Sequence, residues 1–181
     1  MVMNSVGLYN LAQNTVSQVS LTTGLKAVGR PGFIVIDKDL DSRTKKFAAI
    51  KEFLYQMTCL GIFLALVPVF DKATFKLAKK MYKDLPIFKV FDNPEQFKKI
   101  NKLPQKEKLT KIEEIIENKN LNTKELNITT KDVLDENSTN LVQGVVEAGS
   151  IASSVIGLAI LAPIVSHPFI ATVLDKFNKD K

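Results

Sequence analysis

The chain has 181 residues, of which 45% are apolar and 24% are charged, and its formal net charge is +6. It has one cysteine, Cys59, which excludes an internal disulfide framework. Among its 25 basic residues only Arg30 and Arg43 are arginines. Since arginine is the usual residue for forked recognition of bases, nucleic acid is not an expected partner.

The N-terminal region, residues 1–41, is polar and has no formal charge before Lys26. A secretory signal needs a basic start, so none is predicted here. Apolar residues at helical spacing from Leu8 to Val19 predict a weak amphipathic helix that ends near Gly24. The glycine- and proline-rich residues 29–32 then predict a turn.

Three alternating aspartates, Asp37, Asp39 and Asp41, come next. A calcium loop would need glycine at its sixth place and glutamate at its twelfth, where this chain has Ser42 and Ala48. The sequence therefore predicts no metal site here. Because anionic side chains stabilise helix N-termini, the triplet is instead expected to cap the following helix.

Residues 42–70 predict a helix that leads into a first transmembrane span. Its second part, Phe53–Phe70, contains eighteen residues without a formal charge. About 20 apolar helical residues cross a bilayer core, so this run is at the lower edge of spanning length. Pro68 is expected to kink or end the helix, because proline has no N–H to donate.

Residues 71–147 predict a polar, lysine-rich helical connection. Its first part is amphipathic, with the apolar face Phe75, Ala78, Met81, Tyr82 and Leu85 and the lysines Lys72, Lys76, Lys79, Lys80 and Lys83. These lysines are either a solvated face or a surface for anionic lipid headgroups. Further along, Thr110 and Glu113 have capping-box spacing at the start of one short helix, and a second is predicted over 130–135.

Residues 148–174 form the longest uncharged run, at twenty-seven residues, and a basic tail follows at 175–181. The run is long enough for a second transmembrane span. Pro163 and Pro168 predict either a bent helix or one that ends near Ala162 and continues as an interfacial segment.

Small residues supply the clearest constellation in the sequence. Gly149, Ser153 and Gly157 recur every four residues in the second run, and Gly61 and Ala65 have the same spacing in the first. In lipid, small residues let helix backbones approach closely and associate. The two surfaces are therefore expected to pack together, within one chain or between a chain and a second copy or partner helix.

Residues suited to catalysis are scarce. The one histidine, His167, has no nearby cysteine or carboxylate at metal-ligand spacing, and no phosphate loop or nucleophile–base motif occurs. His167 is expected at the end of the second span, where its placement is either structural or serves proton or ligand handling. The sequence therefore predicts no enzyme, no metal and no cofactor.

The fold class that follows is mostly α, a two-span helical membrane protein with amphipathic flanking helices. The favoured function is helix–helix association, as a scaffold, anchor or complex subunit. One alternative is a membrane-permeabilising or pore-forming protein of the holin or toxin type, and another is a soluble all-α protein with two buried core helices. Lysines at 176, 179 and 181, against none in residues 133–147, favour cytoplasmic termini.

Overall fold

A computed structural model describes residues 14–119 and 129–179, with side chains as far as Asp175. Over these ranges the protein is helical and contains no strand. In chain order the helices are α1 (Thr15–Ile36), α2 (Ser42–Met81), α3 (Pro86–Val90), α4 (Pro94–Asn101), α5 (Gln105–Asn118), α6 (Thr130–Val133), α7 (Glu136–Ser154) and α8 (Ala162–Lys179), with a π-helical segment, Val155–Leu161, between the last two. The mostly-α prediction is thus confirmed. The helix predicted from Leu8 onwards begins outside the described residues.

The chain divides into two compact units. Unit 1 comprises residues 1–69 and 150–181, and unit 2 comprises Phe70–Gly149. Unit 1 thus contains most of both uncharged runs. Unit 2 spans the whole of the segment, residues 71–147, that the sequence predicts as a polar connection.

Helix α1 corrects the prediction for the N-terminal region. Asn14 caps it by accepting a hydrogen bond from the Ser17 N–H at 2.9 Å, and the helix then continues through Gly24 and Pro31. The predicted break and turn are therefore wrong. None of the glycines of α1 adopts a positive φ, so nothing in the backbone requires a turn. Tertiary contacts, including the burial of Ala27, outweigh the low helix propensity of glycine and proline.

Helix α2 begins where the sequence predicts. The Asp41 carboxylate accepts hydrogen bonds from the N–H groups of Arg43, at 2.9 Å, and Thr44, at 3.1 Å. A further bond from the Thr44 hydroxyl helps to hold the pKa of Asp41 below its usual range. The capping role of the acidic triplet is confirmed for Asp41. The helix continues past Pro68 for a total of 40 residues, so the expectation that it could end there is wrong.

Unit 2 has a hydrophobic core of its own. Phe75 packs edge-to-face on Phe88 with ring centroids 5.4 Å apart, and Phe91 packs in the same way on Phe97 at 5.6 Å. The core draws on every helix from α2 to α7: Phe75, Ala78, Ile87, Phe88, Val90, Phe91, Phe97, Ile100, Ile112, Ile116, Val133, Val142 and Val146. The connection is therefore a folded globular unit in its described part.

Two short-range predictions in unit 2 have opposite outcomes. Thr110 lies inside α5, where its hydroxyl donates to the Lys106 carbonyl, so the capping box predicted there is wrong. The helix starts earlier, at Gln105 after Pro104. The predicted helix near residue 130 is confirmed as α6, and Thr129 and Asp132 form its capping box.

The second long helix continues through Pro163 by way of the π-helical segment. The Ala162 N–H donates to the Gly157 carbonyl, five residues back, which is the wide turn of a π-helix. Pro163 has no N–H to donate to the carbonyl four residues back. The wider turn just before it lets the helix continue without that hydrogen bond. The helix therefore does not end near Ala162, and α8 also contains Pro168.

Candidate membrane interface

Exposed apolar side chains are concentrated in unit 1. Among the described residues, Leu77, Met81 and Tyr82 are the only large exposed hydrophobic residues of unit 2. Those of unit 1 are Leu21, Leu25, Val28, Phe33, Val35, Ile36, Leu40, Phe47, Ile50, Phe53, Met57, Leu64, Val69, Ile151, Val155, Ile160, Ile164, Val165 and Phe169. So many exposed large apolar side chains in one unit are typical of contact with lipid or another protein.

The two long helices have the length and composition needed to cross a bilayer. Within the most apolar eighteen residues of each, only 22% and 28% are buried by the rest of the protein. A core helix of a soluble protein would be mostly buried instead. The described part of the protein therefore leaves most of both apolar stretches uncovered.

Helix α2 has two distinct faces within the first run. Its buried face consists of Gln56, Cys59, Phe63 and Val67, which recur at helical spacing. Gly61 and Ala65 lie on the other side, where both are exposed. The sequence pairs these two small residues with the small residues of the second run, but among the described residues a Cβ on Gly61 would meet no atom within 4 Å.

The three small residues that the sequence singles out in the second run, Gly149, Ser153 and Gly157, are all buried. In unit 1, a Cβ placed on Gly157 would lie 3.0 Å from Leu66 Cδ1 and 3.7 Å from Phe63 Cα, so this glycine allows close approach of α2. Ser153 is fully buried, and its hydroxyl donates to the Ser150 carbonyl at 2.7 Å. Gly157 thus packs against a large side chain. That side chain fills the space that would stay empty if two helix faces of small residues met.

Gly149, in unit 2, is packed still more closely. A Cβ there would lie 2.6 Å from Thr74 Oγ1 and 3.0 Å from Asp71 Cα. We expect Gly149→Ala to destabilise unit 2 by about 1–3 kcal/mol, because the Asp71 backbone cannot move aside without disturbing α2. Chemical denaturation of the full chain, followed by helical circular dichroism, measures this loss.

Gly144→Ala is the matched control for that change. It lies on the same helix, and a Cβ there would meet no atom within 4 Å. Replacing a solvent-facing helical glycine by alanine stabilises a helix by roughly 0.5–1 kcal/mol. Equal effects of the two substitutions would contradict the close approach at Gly149.

Polar side chains inside unit 1 have partners. The Arg30 guanidinium of α1 donates to the Glu52 carboxylate of α2 at 3.0 Å, and Gln56 donates to the same carboxylate at 2.8 Å. No buried side-chain nitrogen or oxygen among the described residues lacks a hydrogen bond. This network joins α1 to α2 just before the first uncharged run.

The predicted lipid-surface lysines separate into two groups. Lys72 pairs with Glu95 at 3.2 Å, and Lys79 pairs with Asp92 at 3.5 Å. The other three, at 76, 80 and 83, are exposed and have no ion pair within the described part of the chain. Since Phe75 and Ala78 are in the core of unit 2, much of the apolar face predicted for this segment is not free to enter a headgroup layer.

Asp92 lies in the link between α3 and α4. Lys119 Nζ is 2.6 Å from one of its carboxylate oxygens and also donates to the Val90 carbonyl at 2.7 Å. The hydrogen bond from Lys119, with a smaller contribution from Lys79, holds the pKa of Asp92 below its usual range. A carboxylate with a lowered pKa stabilises the folded state above its unfolded pKa and loses that contribution as pH falls through the folded value.

We therefore expect the stability of unit 2 to fall below about pH 4, and to fall less steeply in Asp92→Asn. The effect is modest, because the Asp92 carboxylate is largely exposed. Denaturation of the full chain between pH 7 and pH 3 measures it. Asp84→Asn is the control, since Asp84 has no ion pair within the described residues. Identical pH slopes for the two variants would contradict the role of the Lys119 contact.

Sites for chemistry are sparse in the described chain. His167 is exposed on α8, and no three histidine, cysteine or acidic side chains within the described ranges are grouped as metal ligands. Sequence reasoning missed the Arg30–Glu52 pair, because it predicts a turn at Arg30.

Compared with known proteins, the chain matches no protein-family model, no curated protein and no solved structure.

Proposed function

We propose that this chain is a non-enzymatic integral membrane protein that acts by helix–helix association, as an anchor or subunit of a membrane complex. The observation that carries the proposal is the low burial, 22% and 28%, of its two most apolar helical stretches. In water, that exposed surface would drive aggregation. In a bilayer the same surface is matched by the lipid tails, which favours the membrane over the soluble alternative.

The proposed topology has two crossings, the first by Phe53–Phe70 and the second within residues 148–174. Two crossings put both termini on one side of the bilayer and residues 71–147 on the other. The lysines of the C-terminal tail favour the cytoplasm for the termini under the positive-inside rule.

Association with a second helix is proposed to use Gly61 and Ala65. Both are exposed in unit 1, and a Cβ on Gly61 would meet no atom within 4 Å, so this face is open to close approach. Helices associate in lipid through such small residues, because apolar side chains gain nothing by leaving apolar lipid tails. The first partner to test is a second copy of the chain.

The matched experiment replaces Gly61 and Ala65 together by leucine. We expect self-association in liposomes, measured by energy transfer between differently labelled copies, to weaken about tenfold or more, equivalent to about 1.4 kcal/mol. Ala159→Leu is the control, since Ala159 is also exposed but has no small residue four positions away. Unchanged association of the double variant would contradict the proposed surface.

The same liposomes distinguish association from permeabilisation. If the protein is an anchor or subunit, a dye trapped inside the liposomes should stay there at low ratios of protein to lipid. Rapid dye release at those ratios would instead favour the pore-forming alternative.

Contact with anionic headgroups is proposed for the exposed lysines of α2 in unit 2. Lys76 and Lys80 flank the exposed apolar residues Leu77 and Met81 on one side of the helix. Lysines within a Debye length of an anionic surface contribute about 1 kcal/mol each. This segment follows the first uncharged run directly along the same helix, which keeps it close to the bilayer surface.

A further inference from the structure

Unit 1 contains an open groove of about 770 Å³ that three helices line. Helix α1 contributes Ile34, α2 contributes Phe47 and Tyr55, and α8 contributes Ile170 and Leu174, among others. The volume is in the range of small-molecule sites, and most of the lining is apolar, as such sites require.

The polar side chains that line the same groove include Lys51, His167 and Asp175. Lys51 stands two residues before the first uncharged run, and Asp175 follows the last residue of the second. Neither has an ion pair within the described part of the chain, although both border one groove. The Glu52 carboxylate, which also lines the groove, already accepts hydrogen bonds from Arg30 and Gln56.

We propose that this groove binds a membrane phospholipid with a phosphate and a primary ammonium group in its headgroup, as in phosphatidylethanolamine. Lys51 binds the phosphate, the Asp175 carboxylate accepts hydrogen bonds from the ammonium group, and an acyl chain lies along the apolar walls. The inference rests on the proposed membrane location, which puts the charged ends of both runs at the headgroup level and the part of the groove lined by Tyr55 and α8 below them.

The opposite charges of the two side chains favour a zwitterionic headgroup over a purely anionic one. A carboxylate beside the bound lipid forms charge-assisted bonds with cationic N–H donors. Phosphatidylglycerol has no ammonium group, so its phosphate would lie near the carboxylate without a balancing positive charge. The quaternary ammonium group of phosphatidylcholine has no N–H. The groove should therefore prefer phosphatidylethanolamine to phosphatidylcholine or phosphatidylglycerol with the same acyl chains.

The test uses the full chain in mild detergent with each of these three lipids added, and native mass spectrometry counts the lipid retained. We expect wild-type protein to retain phosphatidylethanolamine with about tenfold preference over phosphatidylcholine. Lys51→Gln should lower retention about tenfold, whereas Lys46→Gln, an exposed lysine on the same helix outside the groove, should not. Asp175→Asn should remove the preference between the two zwitterionic lipids.

Filling the groove provides an independent variant. Ala171→Trp places a ring in the groove and should abolish retention, while Val165→Trp, exposed on α8 outside the groove, should retain the lipid. Retention by Ala171→Trp equal to wild type, or equal retention by Lys51→Gln and Lys46→Gln, would overturn the inference. Bilayer integration is measured on the same preparations. Protein that integrates without selective retention refutes the groove alone, and protein that fails to integrate refutes the proposed function.

Discussion

In the proposed topology, Leu64→Lys should release the first apolar run from the bilayer. Leu64 lies near the middle of Phe53–Phe70 and its side chain is 45% exposed in unit 1. Replacing leucine by lysine at the centre of a spanning helix costs about 3–4 kcal/mol of insertion free energy. The ratio of integrated to released protein, measured after alkaline extraction of membranes, should fall by roughly 100-fold or more.

Leu77→Lys is the control on the same helix. Leu77 is 59% exposed, slightly more than Leu64, but it belongs to unit 2 and follows the uncharged run. In this account its side chain meets water or headgroups, so lysine there should leave integration unchanged. If the two variants are extracted equally, the distinction between a lipid-facing and a water-facing part of α2 is wrong.

Phe88→Ala should destabilise unit 2 by about 3–5 kcal/mol. Phe88 is 1% exposed, and its ring packs edge-to-face on Phe75 at 5.4 Å, so truncation leaves a cavity at the centre of the core. Amide hydrogen exchange on the full chain measures this effect locally. We expect the slowest amides of α3 to α5 to exchange about 100-fold to 1,000-fold faster.

Tyr82→Ala tests whether the loss of stability is specific to aromatic residues in the core of unit 2. Tyr82 is another aromatic residue of unit 2, but it is 41% exposed and outside the core. We expect a change within about 0.5 kcal/mol. Faster exchange of similar size in both variants would show that aromatic residues of this segment stabilise it without a specific core.

The two long helices could be predicted from the sequence because their signal is local. An uncharged run of spanning length needs no knowledge of partners, and Asp41 caps α2 through its immediate neighbours, Arg43 and Thr44. The capping box of α6 is recognisable for the same reason. Contacts a few residues apart are encoded in spacing alone.

Helix α1 and the core of unit 2 could not be predicted, because both depend on distant contacts. Glycine and proline at 29–32 have the local propensity of a turn, but the Arg30–Glu52 pair joins residues 22 positions apart. In the same way Phe75 and Phe88 meet only after the chain turns back between them. Local propensity is a weak prior that tertiary packing overrides.

The small-residue pattern points to Gly157 as one side of the contact with α2, but it does not identify the residues on the other side. Gly157 allows a close approach, yet the residues that a Cβ there would meet are Ile62, Phe63 and Leu66. Spacing shows which residues share a helix face, whereas the choice between two faces of α2 depends on packing volume. The exposed Gly61 and Ala65 therefore remain available for the intermolecular contact that we propose.

Protease accessibility of wild-type protein in sealed vesicles, after alkaline carbonate washing, tests the membrane account most directly. The protein should stay in the vesicle pellet, and protease added outside should cleave either the termini or residues 71–147, depending on orientation, but not both. Both predicted spans should survive digestion as protected fragments. A protein that the wash releases as a monodisperse, folded species, or in which Phe53–Phe70 is digested in intact vesicles, would contradict the account.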